Sequence, residues 1–242
     1  MKQLAHAFVP VLVSVLLAHG GVAAQEKPIG VSFTAQPTSY SLEGRPYQVT
    51  GYGNAKFGMT AEQVAALVKA ERPNEFKTLK DDFDVIQRTR VLTIVIPQLA
   101  PGPGPANVSY VFGASSQRLI AINVVWQAVS QATSVQQTLL IAAASVLTGD
   151  LIGYQWPPLN AARGHVLAPG ALVVFSGMDE AGGGIQVRLD GVSYDLEKRQ
   201  TGAPPSTVEG RYEAPPGPAQ LRFSMVANVE QPDIFRISPG AF

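Results

Sequence analysis

Apolar residues recur at helical spacing after Thr60, and this pattern predicts the first helix of the chain. Thr60 can cap the helix start, and Gln63, three residues later, can complete a capping box. The apolar positions that then fall on one face are Val64, Leu67 and Val68. Pro73 cannot continue a helix, so the helix is expected to end before it.

Three segments after this helix are typical of β-strands: residues 88–96, 107–112 and 118–126. They are rich in β-branched and aromatic residues, and Val108 and Tyr110 alternate with the polar Ser109, as in a strand with one buried face. Proline and glycine separate the first two segments at 101–105, and residues 113–116 form a turn before the third. The pattern predicts an antiparallel meander.

A second helix is predicted over residues 130–148, followed by further strands. Gly149 provides its stop signal. Four apolar residues at four-three-four spacing predict the face that packs on the core: Val135, Leu139, Ala142 and Val146. Residues 171–175 and 185–189 then flank a glycine-rich turn at 177–184 and predict a hairpin, and a last strand is expected at 220–227.

This order of elements predicts an α+β protein with helices packed on antiparallel sheet. A helix followed by strands occurs twice. Either two tandem helix-plus-sheet units or coincidence would explain this repetition. The predicted organisation is a signal peptide at 1–24, an N-terminal arm at 25–52, a first helix-plus-meander unit at 53–128 and a second helix-plus-hairpin unit at 129–242.

The first 24 residues have the three parts of a secretory signal: a charged start at Lys2, an apolar run at about 7–18 and small residues at 22–24. The run is shorter than the roughly 20 residues that span a bilayer, and Pro10 interrupts it, although a retained anchor is the alternative. The second predicted helix is interrupted by Gln136, Gln137, Ser145 and Thr148. We therefore expect a periplasmic or secreted protein without stable membrane insertion after signal removal.

Charge and cysteine content narrow the function classes further. The chain has 18 basic and 18 acidic residues, and removal of Lys2 with the signal leaves 17 against 18. This balance gives no basic surface for nucleic acid. The chain has no cysteine, so lipid attachment at a cysteine and disulfide stapling are both excluded.

The sequence offers little catalytic chemistry. His165 is the one histidine outside the predicted signal, and without cysteine it cannot complete the common metal sites or a Cys-His pair. No nucleophile elbow and no phosphate-binding glycine motif occurs. We therefore predict no catalytic residues, no metal ligands and no cofactor, and interpret His165 as an ordinary surface or hydrogen-bonded side chain.

Paired carboxylates are the remaining route to hydrolysis, because two positioned acids suffice to cleave a glycosidic bond. No diagnostic spacing is present among them, and weak calcium binding at 81–84 is a further alternative. The candidates are Asp81, Asp82, Asp84, Asp179, Glu180, Asp190, Asp195 and Glu197.

Tyr154 and Trp156 are the candidate partner-binding residues. They lie beside Pro157 and Pro158 on a connection between elements, where anchors for a partner often occur. The alternative is that both rings close the end of the core, which is also the interpretation of Trp126 at the end of its strand.

Two resemblances accompany these patterns. Residues Phe57 to Thr60 followed by 62–64 resemble the opening of small envelope domains of the SmpA/OmlA type, which share a fold with β-lactamase-inhibitor proteins. Segments 104–110, 118–126 and 232–240 are similar to uncharacterised exported proteins of alphaproteobacteria. The first resemblance implies a pair of helix-plus-sheet units whose exposed sheet faces a protein partner, although the cysteines common in such proteins are missing.

The leading hypothesis from the sequence is an exported, non-enzymatic binding or interaction protein of the cell envelope, with a protein as partner. The alternative is a carboxylate-dependent hydrolase of cell-wall or extracellular polymers. That alternative requires two carboxyl groups roughly 5 to 10 Å apart in one cleft.

Overall fold

The computed structural model of the chain describes residues 32–33, 44–128, 131–196 and 210–236. The predicted signal peptide at 1–24, most of the predicted arm and Glu197 lie outside these residues.

The described residues contain two α-helices and thirteen strands. Helix α1 spans Ala61–Glu71, a 3₁₀ turn follows at Phe76–Thr78, and helix α2 spans Ser134–Ile152. The strands are β1 Ser32–Phe33, β2 Gly51–Tyr52, β3 Ala55–Lys56, β4 Lys80–Asp84, β5 Thr89–Ile96, β6 Ala106–Phe112, β7 Leu119–Ala128, β8 Ala161–Ala168, β9 Ala171–Met178, β10 Gly184–Asp190, β11 Tyr194–Leu196, β12 Gly210–Tyr212 and β13 Ala219–Val226.

Eight of these strands form one antiparallel sheet in the order β4-β5-β6-β7-β13-β10-β9-β8. Strands β1, β11 and β12 form a small separate sheet, and β2 and β3 form a short hairpin. The protein therefore belongs to the α+β class, as the sequence pattern predicts.

Both helices begin with the capping box that the sequence indicates for α1. Thr60 Oγ1 accepts a hydrogen bond from the Gln63 backbone N–H at 3.2 Å, and Gln63 Oε1 accepts from the Thr60 N–H at 2.9 Å. Thr133 and Gln136 make the same reciprocal pair at the start of α2. These bonds satisfy N–H groups that have no partner within the helix.

One face of the sheet carries the hydrophobic core. Residues directly opposite each other on antiparallel strands share a face, so the register assigns Leu92, Tyr110, Ile122, Met225 and Ile185 to one side. Val64 and Val68 of α1 and Leu140 and Ala144 of α2 belong to the same buried cluster. Both helices therefore contribute residues to the buried cluster on this side, and the opposite side of the sheet is called the open face below.

The predicted core face of α2 is wrong. Val135, Leu139 and Val146 are 63%, 48% and 54% exposed, and Ala142 is exposed as well. The residues that enter the core are Leu140, Ile141, Ala143, Ala144 and Leu151. Because α2 is apolar on both sides, the spacing of its apolar residues does not identify the buried side.

By length and composition, helix α2 is the one helix in the described part of the chain that could cross a membrane. About a third of this apolar stretch of α2, 33%, is buried inside the protein. The polar residues that interrupt the segment do not lower its mean hydropathy enough to exclude it. Its buried side contacts β9, β10 and β13, as in a core helix.

The strands predicted at 88–96, 107–112, 118–126, 171–175, 185–189 and 220–227 are present, with shifts of one to three residues at most ends. Strands β4 and β8 were not predicted. Acidic residues dominate β4, and β8 contains Arg163, Gly164 and His165. Both are edge strands, where one-sided pairing makes the hydrophobic pattern weak.

We predict that Thr60→Ala lowers the free energy of unfolding by about 1 kcal/mol, because α1 loses its cap. Chemical denaturation of the purified protein measures this change. Thr50→Ala is the matched control, since Thr50 is exposed and outside any helix. Equal effects of the two substitutions would contradict the structural role of the cap.

Candidate functional site

The residues on the open face of the three central strands form three rows that differ in polarity. Ala121, Val226 and Gly184 form the first row, Asn123, Ser224 and Gln186 the second, and Val125, Arg222 and Arg188 the third. Each row crosses β7, β13 and β10, and successive rows lie about 7 Å apart along the strands. The face therefore changes from apolar to basic along the strand direction.

The segment at 227–236, called the C-terminal segment below, continues from β13 and is held at three turns of the sheet. The Val229 N–H donates to Gly182 O at 2.9 Å, the Ala114 N–H to Asp233 O at 2.8 Å, and the Phe235 N–H to Gln87 O at 2.9 Å. These contacts reach the β9–β10, β6–β7 and β4–β5 turns in order. The segment thus crosses one end of the sheet.

Side-chain contacts reinforce this position. The Asp233 carboxylate accepts the Ser115 and Ser116 N–H groups at 3.0 and 2.8 Å. Hydrogen bonds from the Ser116 side chain and backbone, and then from Ser115, hold the pKa of Asp233 below its ordinary value. The guanidinium of Arg88 lies 3.8 Å from the centre of the Phe235 ring, within the range of a cation–π contact.

A cavity of about 190 Å³ lies between the C-terminal segment and the open face. Its walls come from all three rows of the open face, from the β4–β5 turn and from the C-terminal segment. The lining residues are Gln87, Asn123, Gly184, Ile185, Gln186, Arg188, Arg222, Ser224, Val226, Asn228, Val229, Pro232, Ile234 and Arg236.

Two buried donors in this cavity have no hydrogen-bond partner within the described residues: Arg222 Nε and Asn123 Nδ2. The amide oxygen of Asn123 is used, since it accepts from Ser224 Oγ at 2.7 Å. Gln87 Oε1 is a buried acceptor that also lacks a partner. Buried polar groups in proteins are nearly always paired, so these three atoms mark residues of the cavity lining at which a hydrogen-bond partner is missing.

The two arginines of the third row have different surroundings. Arg188 Nε donates to Asp190 Oδ1 at 2.8 Å and its Nη2 lies 2.6 Å from the same oxygen, while Gln220 Nε2 donates to Asp190 Oδ2 at 3.2 Å. Arg222 lies directly opposite Arg188. Burial lowers the pKa of Arg222, Asp190 acts against this and the Arg188 charge adds to it.

The structure distributes the carboxylates proposed for hydrolysis over separate elements. Asp81, Asp82 and Asp84 lie on edge strand β4, five strands from Asp190 on β10. Five strand spacings amount to about 24 Å. The side chains of Asp195 and Glu197 lie outside the described part.

A second cavity, of about 430 Å³, is lined by three acids, Glu62, Asp81 and Asp82. Glu62 and Asp81 both bind the same arginine. Arg90 lies between them, at 3.0 Å from Glu62 and 2.8 Å from Asp81. The pKa of Glu62 is lowered by a backbone hydrogen bond and then by Arg90, and hydrogen bonding from Arg90 lowers the pKa of Asp81. A general acid at neutral pH needs a raised pKa, so neither group is suited to donate a proton.

Asp179 is buried and holds the β9–β10 turn together. It is 5% exposed, and its carboxylate accepts the N–H groups of Val49, Ala181 and Gly183 at 2.7, 2.9 and 2.8 Å. These bonds close the β9–β10 turn and attach residue 49 to it. Glu180, the next residue, is exposed.

The candidate partner-binding residues lie at one end of the core. Trp156 is 4% exposed, donates from Nε1 to Leu151 O at 2.9 Å and packs its ring against Tyr47 and Phe175. Tyr154 is 38% exposed and meets the edge of the Tyr47 ring. The Trp156 ring thus packs at the end of the core, and a partner role for Tyr154 and Trp156 stays a prediction. Trp126 is a core residue whose Nε1 bonds to Leu99 O at 2.7 Å.

His165 lies in β8, opposite Val173 of β9. Burial lowers its pKa, and its buried Nδ1 has no hydrogen-bond partner among the residues described. Within 32–33, 44–128, 131–196 and 210–236, no group of three histidines or acids is placed to share a metal ion.

Sequence reasoning did not identify Asn123, Arg188, Arg222 or Ser224 as site residues. Each lies in a segment predicted as a strand, at a position between two apolar residues, and such positions face away from the core. The alternation along each strand therefore predicts that the four side chains lie on the side of the sheet away from the core. It does not predict the order of the strands, and that order brings the four residues into one cavity.

We predict that Asp179→Ala lowers the free energy of unfolding by about 3 kcal/mol, because three N–H groups lose a charged acceptor in a buried turn. Glu180→Ala, one residue away and exposed, should change it by less than about 0.5 kcal/mol. Urea denaturation of both variants provides the comparison. Similar effects for both would show that Asp179 does not hold this turn.

We also predict that His165 contributes to acid sensitivity. Its pKa in the folded protein is below the ordinary value of about 6.5, so the unfolded chain takes up the proton first as the pH falls, and stability is lost below pH 6.5. His165→Gln should lose less free energy of unfolding between pH 7.5 and pH 5.5 than the unsubstituted protein. Equal losses would refute this prediction.

Comparisons of this chain with protein-family models, with curated proteins and with solved structures each give no match. The resemblance of segments 57–64 and 104–110 to envelope proteins therefore stays a prediction.

Proposed function

We propose that this protein is an exported, non-enzymatic binding protein of the cell envelope, and that its binding site is the cavity between the open face and the C-terminal segment. The observation that carries the proposal is a pair of buried donors, Arg222 Nε and Asn123 Nδ2, that have no partner among the described residues and belong to side chains in the cavity lining. Unpaired buried groups cost free energy, so a ligand that forms hydrogen bonds with them stabilises the complex.

The remaining chemistry supports binding over hydrolysis. Asp179 and Asp190 are engaged by hydrogen bonds within the fold, and the pKa values of Glu62 and Asp81 are lowered where a hydrolase needs a proton donor. Export rests on the predicted signal at 1–24. A periplasmic or secreted location and an envelope protein as a further partner belong to the same proposal.

The same proposal includes a tandem arrangement of two helix-plus-sheet units. Helix α1 precedes β4, β5, β6 and β7, which run from one edge of the sheet to its centre, and α2 precedes β8, β9, β10 and β13, which run from the other edge to the centre. Two copies of one unit, joined where β7 pairs with β13, would produce this strand order. The arrangement is the one that the resemblance to inhibitor-like domains implies.

A nuclear magnetic resonance screen of the ¹⁵N-labelled protein tests the proposal. Small acids, amines and neutral compounds are added, and we expect at least one class to shift the backbone amides of 184–188 and 222–226 saturably. The amides of β4, at the far edge of the sheet, are the internal control. If no class shifts the central strands, or if a compound is hydrolysed, the proposed function is wrong.

A further inference from the structure

We propose that the cavity binds a small organic carboxylate with a short apolar body, and that Arg222 and Asn123 bind its carboxylate group. This inference rests on the proposed function, since it names the ligand class of the same cavity. Four observations support it: the charge balance of the third row, the unpartnered donors, the change in polarity along the cavity and its size.

The charge balance of the third row leaves one positive charge unpaired. Arg188 and Arg222 lie directly opposite each other on β10 and β13, an arrangement that is unfavourable for like charges. Asp190 pairs with Arg188 and its second oxygen accepts from Gln220. Arg222 forms no ion pair within the described residues, so a bound anion would supply the missing negative charge.

The unpartnered groups at this end of the cavity are donors. Arg222 Nε carries a hydrogen and cannot accept one. Asn123 is 6% exposed. Its amide nitrogen has no partner in the described part of the chain, while its oxygen accepts from Ser224. A carboxylate is an acceptor with two oxygens, and charge-assisted bonds from guanidinium to carboxylate are among the stronger hydrogen bonds in proteins.

The burial of Arg222 makes an ion pair between its guanidinium and a bound anion more favourable. The pKa of Arg222 is lowered chiefly because its surroundings exclude water, so its charge is poorly solvated in the free protein. An anion in the cavity would stabilise this charge. Arg236 also lines the cavity, but it is exposed, and solvent screens exposed charges. A single negative charge therefore fits better than two.

The cavity lining away from Arg222 is mainly apolar, although it includes the polar Gln87 and Asn228. Val226 of the first row lines the cavity together with Val229, Pro232 and Ile234 of the C-terminal segment. Val226 lies two row spacings from Arg222, or about 14 Å along the strand. A ligand that fills the cavity therefore combines a charged group with a short hydrocarbon part. The volume of about 190 Å³ is below the roughly 300 to 1,000 Å³ of pockets for drug-sized molecules, which limits the hydrocarbon part to one small ring or short chain.

Benzoate is a suitable probe, and benzamide, with the same ring and no charge, is the matched ligand control. Titration of the full chain by calorimetry and by ¹⁵N nuclear magnetic resonance should show saturable binding of benzoate, with shifts at 184–188 and 222–226, and at least about tenfold weaker binding of benzamide. Sodium sulfate at matched ionic strength tests whether an inorganic anion suffices.

Arg222→Gln should weaken benzoate binding by about tenfold or more. Arg45→Gln, which removes an exposed arginine outside the cavity, should leave it unchanged. Asn123→Asp is a second variant that does not rely on loss of a large side chain. It places a carboxylate beside Arg222, so it should abolish benzoate binding while raising the midpoint of thermal unfolding.

The possible outcomes separate this inference from the proposed function. If benzamide binds the same residues as tightly as benzoate, or if Arg222→Gln keeps full affinity, the cavity binds ligands but the carboxylate assignment is wrong. If sulfate binds as tightly as benzoate, the apolar part has no role and the assignment is also wrong. If neither these probes nor the compounds of the wider screen shift the amide signals of the central strands, the proposed function itself is wrong.

Discussion

Alternation of side chains along the central strands is the constraint on which this structure depends. Because successive residues of a strand point to opposite sides, β7, β10 and β13 cannot bury Val124, Val187 and Phe223 on the helix side without placing their neighbours on the open face. A second layer of helices would require apolar neighbours. Here the neighbours include Asn123, Arg188 and Arg222, so the second face remains available for polar contacts.

The C-terminal segment adds a second wall to this open face. It leaves the sheet at the end of β13 and is attached to three separate turns, so the apolar residues of the first row are covered while the arginines of the third row lie farther along the strands. Asp233 fixes the segment through N–H groups of 115 and 116. The same residues that end the chain's last strand thereby define one wall of the cavity.

Local patterns allowed the prediction of individual elements, but not of their arrangement. The capping box at Thr60 and the alternation at Val108 and Tyr110 depend on neighbours in sequence, and both correspond to real elements. The buried side of α2 could not be predicted, because Leu140 and Val146 are both apolar and the sheet decides which is covered. Edge strand β4 resembled a loop because charged residues are tolerated where one side of a strand is unpaired.

The candidate site could not be predicted either, because it depends on how the strands are arranged. Arg188 and Arg222 are opposite each other only because β10 pairs with β13, and Asn123 joins them only because β13 pairs with β7. No spacing along the chain encodes that meeting. By contrast, the small number of histidines and the absence of cysteine follow from the composition alone. They disfavour the common histidine and cysteine metal sites and cysteine nucleophiles.

The pairing of β7 with β13 has a consequence for how the chain is made. Ala128 pairs with Ala219, 91 residues later, and Ala121 pairs with Val226, 105 residues later. A growing polypeptide therefore carries the complete first meander with a bare hydrogen-bonding edge until almost all of the second half has emerged. Such an edge can recruit strands from other molecules, so a nascent or prematurely terminated chain is the form of this protein most exposed to aggregation.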